Sequence, residues 1–492
     1  MMHRPRKTRR DFLQAGLGLT AAALSPIAAV PAHAADASTL ERLRRRERDP
    51  NRRVLFKGGT IISIDAKTGD HLRADVLVEG KKIAAIGPDL KAAQAEIIDA
   101  SRSILIPGFV DAHRHAWEGQ IRGIIPNAAT LADYAAATHR GFALHYRPHD
   151  MYVGNLITAL GCIDAGITCI LDNSHNSRSA AHSDAAIQGL FDSGIRAVHA
   201  SGAPQVPPWE GQWPGDLSRL KKRYFSSDDQ LVTLRMFAGL NAEHIKIARE
   251  LDLWVTSEFS GGAAGEEALR AIAAAGLLGA RHTFNHCSNV TDSGWKLIRD
   301  AGVKVNVCPT SDPHYRLGTG LPGLQRALDN GIRPGLSVDN EASYGTDMFT
   351  QMRVGFYLQR AMAGYRAFNK EANVPAPIQI RDMLEFATLR GAECCGLIDK
   401  VGSLAPGKEA DIVMIRADAI NTLPLTSAVA TVVFQAHAAN IDTVMIGGQV
   451  RKFRGKLVGV DERQIAKMVE ASRDELISLR GYKLDVLREP VN

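Results

Sequence analysis

Six cysteines in 492 residues are few: Cys162, Cys169, Cys287, Cys308, Cys394 and Cys395 sit inside apolar runs, and no two stand at a C-x-x-C spacing. That sparseness excludes a disulfide framework and a structural zinc site made of thiolates, and it does not call for an isolated disulfide. No glycine-rich dinucleotide fingerprint and no P-loop follows any strand-like run, which argues against a nucleotide-binding doubly wound sheet. Beyond the first 34 residues no stretch is apolar for long enough to span a bilayer. With 45% hydrophobic and 23% charged residues the chain is neither disordered nor fibrous, and it is long enough for one large domain and something smaller.

The first residues stand apart. Thr8-Arg9-Arg10-Asp11-Phe12-Leu13 is a twin-arginine pattern, an uncharged stretch rich in Ala and Leu follows, and Ala32-His33-Ala34 is an A-x-A cleavage signal. The alternative, an N-terminal membrane anchor, suits the stretch less well because Gly16, Gly18, Thr20, Ser25 and Pro26 interrupt it. Residues 1–34 are therefore expected to be a removable export signal, and the mature chain a periplasmic or secreted protein with no membrane attachment. They carry Arg4, Arg6, Lys7, Arg9 and Arg10 against Asp11, so the formal +6 of the whole chain falls to about +2 without them. The charge gives no case for nucleic acid, and the Arg-rich run 35–53, laced with Glu41, Glu47 and Asp49, reads as a solvated lead-in.

From residue 54 to 107, short strand-like runs are separated by turns: VLFKGGTIISID, ADVLVEGKKIAAIG, EIIDASRSILIPG. A similar set returns at 399–460 in ADIVMIRAD, TVVFQA and IDTVMIGGQVRKFRGKLV. Two distant strand-rich segments flanking one large middle suggest a small β-sandwich assembled from both ends. Between 108 and 398, apolar strand-like runs alternate with amphipathic helical ones, and their length of roughly 290 residues fits a (β/α)8 TIM barrel with insertions. The fold class expected is thus α/β, a barrel with a composite terminal β-sandwich, and a doubly wound open sheet is the runner-up. The segment 461–492 reads as a packing helix and tail.

The chemistry starts at PGFVDAHRH. Strand side chains alternate, so His113 and His115 point to the same side, and two imidazoles converging at a strand end make a site for zinc or iron. Bare H-x-H pairs are more often incidental, but here the context is larger. PGFVDAHRH, the later ATLRGAECCGLIDKVGSLAPGKEADIVMI and the closing VMIGGQVRKFRGKLV resemble the opening and closing signatures of the amidohydrolase superfamily, in particular its deaminase and s-triazine chlorohydrolase-like branch. The resemblance runs from Val54 to Val458. It implies a hydrolase of carbon–nitrogen bonds other than peptide bonds, with one divalent metal (Zn or Fe) and a small-molecule substrate.

The resemblance also implies further groups at later strand ends. His286, in FNHCSNVTDSG, resembles the histidine that closes the sixth barrel strand, and Asp339, in GLSVDNEASYGTDMF, the aspartate that closes the eighth. Read locally, His286 is equally a satisfied core histidine and Asp339 a helix cap. The fifth strand departs from the family, because LDLWVTSEFSGG has no histidine. Either Val255 replaces it and Glu258 is the acid that follows, or Glu258 takes the histidine's own place; the second register is preferred because LDLWVTS reads as a complete strand leading to Glu258. His282, four residues before His286, is an outside candidate. Trp117, Glu118, Gln120, His175, Asn176 and Asn340 lie near strand ends, and Trp117, Gln120, His175 and Asn340 are taken as substrate-binding.

On this reading His113, His115, Asp339 and Glu258 hold the metal, Asp339 accepts the water proton, His286 orients the water or stabilises the oxyanion, and a carboxylate protonates the leaving nitrogen. Hydrolytic deamination of a nitrogen heterocycle is the first choice. Cyclic amide or carbamate hydrolysis comes second, and a catalytically silent binding protein is the rival from another class. A metal-free carbohydrate hydrolase on a similar barrel does not account for the H-x-H. A homo-oligomer is left open.

Overall fold

The computed structural model describes residues 32–47 and 49–487. Of the expected signal only Ala32–Ala34 are among them, at the start of a helix (Ala32–Arg45), and the rest of that segment lies outside the described residues. The strands are β1 (Arg53–Ile61), β2 (His71–Glu79), β3 (Lys82–Gly87), β4 (Glu96–Asp99), β5 (Ser103–Pro107), β6 (Phe109–Arg114), β7 (Ile167–Ser174), β8 (Arg196–Ser201) and β9 (Val232–Phe237). They continue as β10 (Val255–Gly261), β11 (His282–Asn289), β12 (Lys304–Val307), β13 (Gly335–Leu336), β14 (Ile412–Arg416), β15 (Ile441–Ile446), β16 (Gln449–Phe453) and β17 (Lys456–Leu457).

Both chain ends build one sheet, in the order β17-β16-β15-β14-β5-β1-β2-β3, with β4 beside β1. The seam between the two ends is β5 against β14, antiparallel, with Val413 opposite Ile106 and Met414 opposite Leu105. Both strands are apolar at nearly every position, and Phe56, Val76, Leu105, Ile412 and Met414 join one core under this sheet. The composite of N- and C-terminal segments expected from the sequence is therefore present.

β6 to β13 are parallel, each bonded to the next in sequence order. The last step back to the first is made by a bridge between Arg114 and Asp339, in which the Asp339 N–H donates to the His113 carbonyl and the His115 N–H to the Asp339 carbonyl. That closure makes a barrel and eliminates the open doubly wound sheet. The chain passes from sheet to barrel through Gly108, where a Cβ would lie 2.0 Å from the Thr168 hydroxyl oxygen, so only glycine fits. Buried Arg196, at the start of β8, ties the barrel to the terminal sheet through Asp411 and Glu409. A C-terminal helix (Glu462–Arg480), capped by the Asp461 side chain, packs across the helix Pro148–Asp164, where Ser472 donates to Asp150. No helix among the described residues is long and apolar enough to cross a membrane.

Candidate active site

The C-terminal ends of β6, β10 and β11 and the turn after β13 converge on one buried cup. His113 and His115 leave β6 on the same face, as alternation requires, and the Nε2 of each lies 3.0 Å from the same oxygen, Oδ1 of Asp339. The ligand atoms of His113, His115 and Asp339 all fall within 4.8 Å of one another, and all three residues are buried. Glu258 borders this set, with Oε1 3.3 Å from His113 Nε2 and 3.8 Å from His115 Nε2, while its Oε2 lies 3.1 Å from His286 Nε2.

Backbone geometry aims the two late groups. On β11 Thr283 and Asn285 face inward, Thr283 to Arg235 and Asn285 to His113, while Phe284 packs outward in the barrel–helix core. Simple alternation would send His286 outward too. Left-handed φ values of +72° at His286 and +50° at Cys287 turn the chain and bring the imidazole into the cup, and Asp339 sits at φ +81°. Three non-glycine residues in that region at one site mark backbone strain held by function.

Each donor is fixed from behind. His113 Nδ1 is met by the side-chain amides of Asn173 (2.6 Å) and Asn285 (3.0 Å), either of which can turn its oxygen to accept the Nδ1 proton and leave the Nε2 lone pair free. His115 Nδ1 lies 2.8 Å from His175 Nε2. His286 Nδ1 is 2.7 Å from Asp312, and Ser311 donates to Asp339 Oδ2 at 2.5 Å. Burial pushes the Glu258 carboxyl up, but the charge of His113 and the bond to His286 hold it at about 2. The same balance keeps Asp339 well below the usual carboxylate range through His113 and His115. Burial pushes His115 down, yet its bond to Asp339 raises it to about 9. Two ionised carboxylates against three imidazoles, with the buried His113 Nε2 and Glu258 Oε2 at ion-pair distance from their neighbours but in no well-directed hydrogen bond, form a donor set that fits a divalent cation.

On β10 Glu258 faces the cup from within the strand. The strand begins at Val255, because Asp252 lies in a left-handed turn (φ +53°), and Glu258 is inside the strand rather than at its tip. Val255 packs outward among Trp213, Met236 and Leu253, away from the cup. His282 is at the opposite end of β11, paired with Val255, and takes no part.

Among the residues expected at the pocket, Trp117 stands against Tyr146 and His175 at ring distances of 5.1 and 5.7 Å, and Asn340 is held between Tyr315 and Tyr344. His175 touches His115 directly, so it positions that imidazole. Gln120 spends its amide N–H on the Asp150 carbonyl of the helix Pro148–Asp164, while its Oε1 is buried without a hydrogen-bond partner. Here β6 gives way to a 3-10 turn (Ala116–Ile121) in which strand alternation no longer applies. Sequence reasoning missed Asn173, Asn285, Ser311 and Asp312. It also missed Cys308, which groups with His113 and His286. Asn173 and Asn285 had a signal, standing two residues before His175 and directly before His286.

Comparison with known proteins agrees with this geometry. The profile of the amidohydrolase family matches residues 104–451. The chain belongs to the amidohydrolase family. A 5-methylthioadenosine/S-adenosylhomocysteine deaminase of Pyrococcus abyssi is 26% identical over 85% of this chain and 98% of its own length, and a 5'-deoxyadenosine deaminase of Methanosarcina acetivorans is 22% identical over 86% and 98%. Among solved structures, a zinc-bound adenosine deaminase from Xanthomonas campestris superposes with a TM-score of 0.76 at 20% identity, covering 86% of this chain and 98% of that one. The zinc complex of atrazine chlorohydrolase from Arthrobacter aurescens gives 0.73 at 22%, covering 85% and 100%. Membership makes this protein a hydrolase of carbon–nitrogen bonds with a metal-binding barrel, as the sequence led us to expect.

Proposed function

We propose that this amidohydrolase removes an amino group hydrolytically from a nitrogen heterocycle, using one divalent cation, zinc in preference to iron. The observation that carries the reading is the pair of imidazole Nε2 atoms 3.0 Å from one Asp339 oxygen, with Glu258 and His286 beside them. Support comes from the deaminases among its relatives and from zinc in two structures of the same fold. His113, His115 and Asp339 would hold the cation, which supplies Lewis acidity and brings the pKa of a water from 15.7 towards ~7. Asp339 takes the proton of the attacking water. His286, tied to Asp312, orients that water or meets the developing negative charge on the ring. Glu258, with one oxygen at the ligand set and the other at His286, carries a proton to the leaving nitrogen. Trp117 and His175, packed edge to face, form an aromatic wall behind His115, on which a flat ring would lie.

The protein reconstituted with zinc, or separately with iron, should release ammonia from a member of a panel of heterocyclic amines. Turnover only on cyclic amides or carbamates would replace this reading with the second one, and full metal occupancy without turnover on any class would favour a silent binding protein. Glu258→Gln separates the two roles open to that residue. A proton carrier leaves metal bound and slows turnover by ~10² to 10⁴, whereas a ligand loses metal, the amide being a poor donor. Its distances of 3.3 and 3.8 Å to the two histidines keep ligation as the second reading.

We also propose that residues 1–34 export the folded, metal-loaded chain by the twin-arginine route. Replacing Arg9 and Arg10 by Lys should hold it in the cytoplasm, and unchanged periplasmic arrival would end the proposal.

A further inference from the structure

Three arginines are fully buried in the barrel. Arg114 is bonded to Asp111 and Glu341, and Arg196 to Asp411 and Glu409. Arg235, on β9, makes an ion pair with no carboxylate among the described residues. Its Nη1 donates to the Thr283 hydroxyl at 3.0 Å and the Cys394 carbonyl at 2.9 Å, its guanidinium lies over the Trp254 ring at 5.0 Å, and its Nε is buried without a partner. An unpaired buried charge is costly, and burial, with a smaller push from the charge of Arg281, brings this guanidinium down to about 10.

Arg235 also lines a cavity of about 350 Å³. Its other cations are Lys221, Arg281 and Lys400, against the acids Asp228 and Asp252. Arg281 is paired with Asp252, and Lys221 and Lys400 donate to the Leu251 and Asp228 carbonyls, so positive charge is left in excess. The cavity lies at the N-terminal ends of β9, β10 and β11, the opposite end of the barrel from Glu258 and His286. With Nη1 anchored, the Nε–Nη2 edge remains, the side of a guanidinium that receives two oxygens of one anion.

We propose that this cavity is a second ligand site, built to take an oxyanion against Arg235, with Trp254 as its wall. The chemistry is shared by phosphate and carboxylate groups. Inorganic phosphate and acetate are titrated separately into the full chain at constant ionic strength with sodium chloride, binding being read by calorimetry and by Trp254 fluorescence. One or both should bind saturably in the millimolar range or tighter, and the tighter of the two names the class. The fluorescence change should vanish in Trp254→Phe.

Arg235→Met should weaken binding at least about tenfold by removing the bidentate edge. Lys400→Ala, at a partly exposed position, should weaken it by about threefold, and it serves if Arg235→Met fails to fold. His115→Ala should bind the anion as before, which keeps this result independent of the metal site. The proposal is overturned if neither anion binds above the chloride control, if Arg235→Met or Lys400→Ala binds as tightly as the natural chain, or if binding disappears with His115→Ala.

Discussion

The cup at the C-terminal mouth of the barrel and the cavity at its N-terminal floor treat buried charge in opposite ways. At the C-terminal mouth every buried ion has a partner: imidazoles face Asp339, Glu258 and Asp312, and just below them Arg114 is clamped between Asp111 and Glu341. At the N-terminal floor Arg196 is paired with Asp411 and Glu409, but Arg235 beside the cavity has neutral oxygens and an aromatic face only. The same eight strands carry both ends. On the proposal above, the difference teaches that charges in the cup are balanced among themselves before any ligand arrives, whereas the charge beside the floor cavity is one that a ligand would balance.

The mouth should break most severely. His113→Ala or His115→Ala removes one of two imidazoles that share Asp339 Oδ1, and we expect metal content to fall sharply and activity by ~10³ or more. Circular dichroism and thermal midpoint should change little, since the cup sits at the rim of an independently packed barrel. Full metal occupancy in the double variant would remove these residues from the ligand set.

One substitution made at both ends sharpens the contrast. Arg114→Met strands buried Asp111 and leaves buried Glu341 with Arg122 alone, and it should lower stability by about 3–5 kcal/mol, the cost of breaking a buried ion pair from one side. Arg235→Met strands no carboxylate and should be near neutral or stabilising in anion-free buffer. Equal losses in urea unfolding of the two variants would show that Arg235 has a charged partner after all, and that the floor is as complete as the mouth.

How much of this was legible beforehand followed how rigid each local rule is. Strand alternation is rigid, so PGFVDAHRH placed His113 and His115 on one face. Strand-like runs alternating with helical ones over roughly 290 residues pointed to the barrel, and the matching apolar strands of 54–107 and 399–460 to the shared terminal sheet. The rule lapses where a strand ends: Ala116–Ile121 form a 3-10 turn, and His286 reached the cup through a left-handed turn that alternation would not foresee. Asn173, Asn285 and Asp312 were hidden for another reason. A polar residue inside an apolar run looks the same whether it holds an imidazole or caps a turn, and only the fold brings positions 173, 285 and 113 together.

The smallest effect concerns a buried acid at the edge of the mouth. Glu118 accepts a hydrogen bond from Tyr134 at 2.5 Å, and burial raises its carboxyl to about 8, although the charge of His115 opposes the shift. An unfolded glutamate ionises near 4.3. Between that pH and about 8 the unfolded chain loses a proton that the folded chain keeps, so stability contributed by neutral Glu118 is complete at low pH and is lost as pH rises. Glu118→Gln keeps the acceptor for Tyr134 and has nothing to ionise. In metal-stripped protein, its thermal midpoint relative to the natural chain should therefore climb from pH 5 to pH 8 and level off above, by an amount corresponding to about 1–3 kcal/mol. The metal must be absent, because a cation at His115 would favour the carboxylate and erase the trend. A midpoint difference that stays flat across that range would mean that Glu118 is already ionised in the fold, and that even this outlying acid of the mouth has found its positive partner.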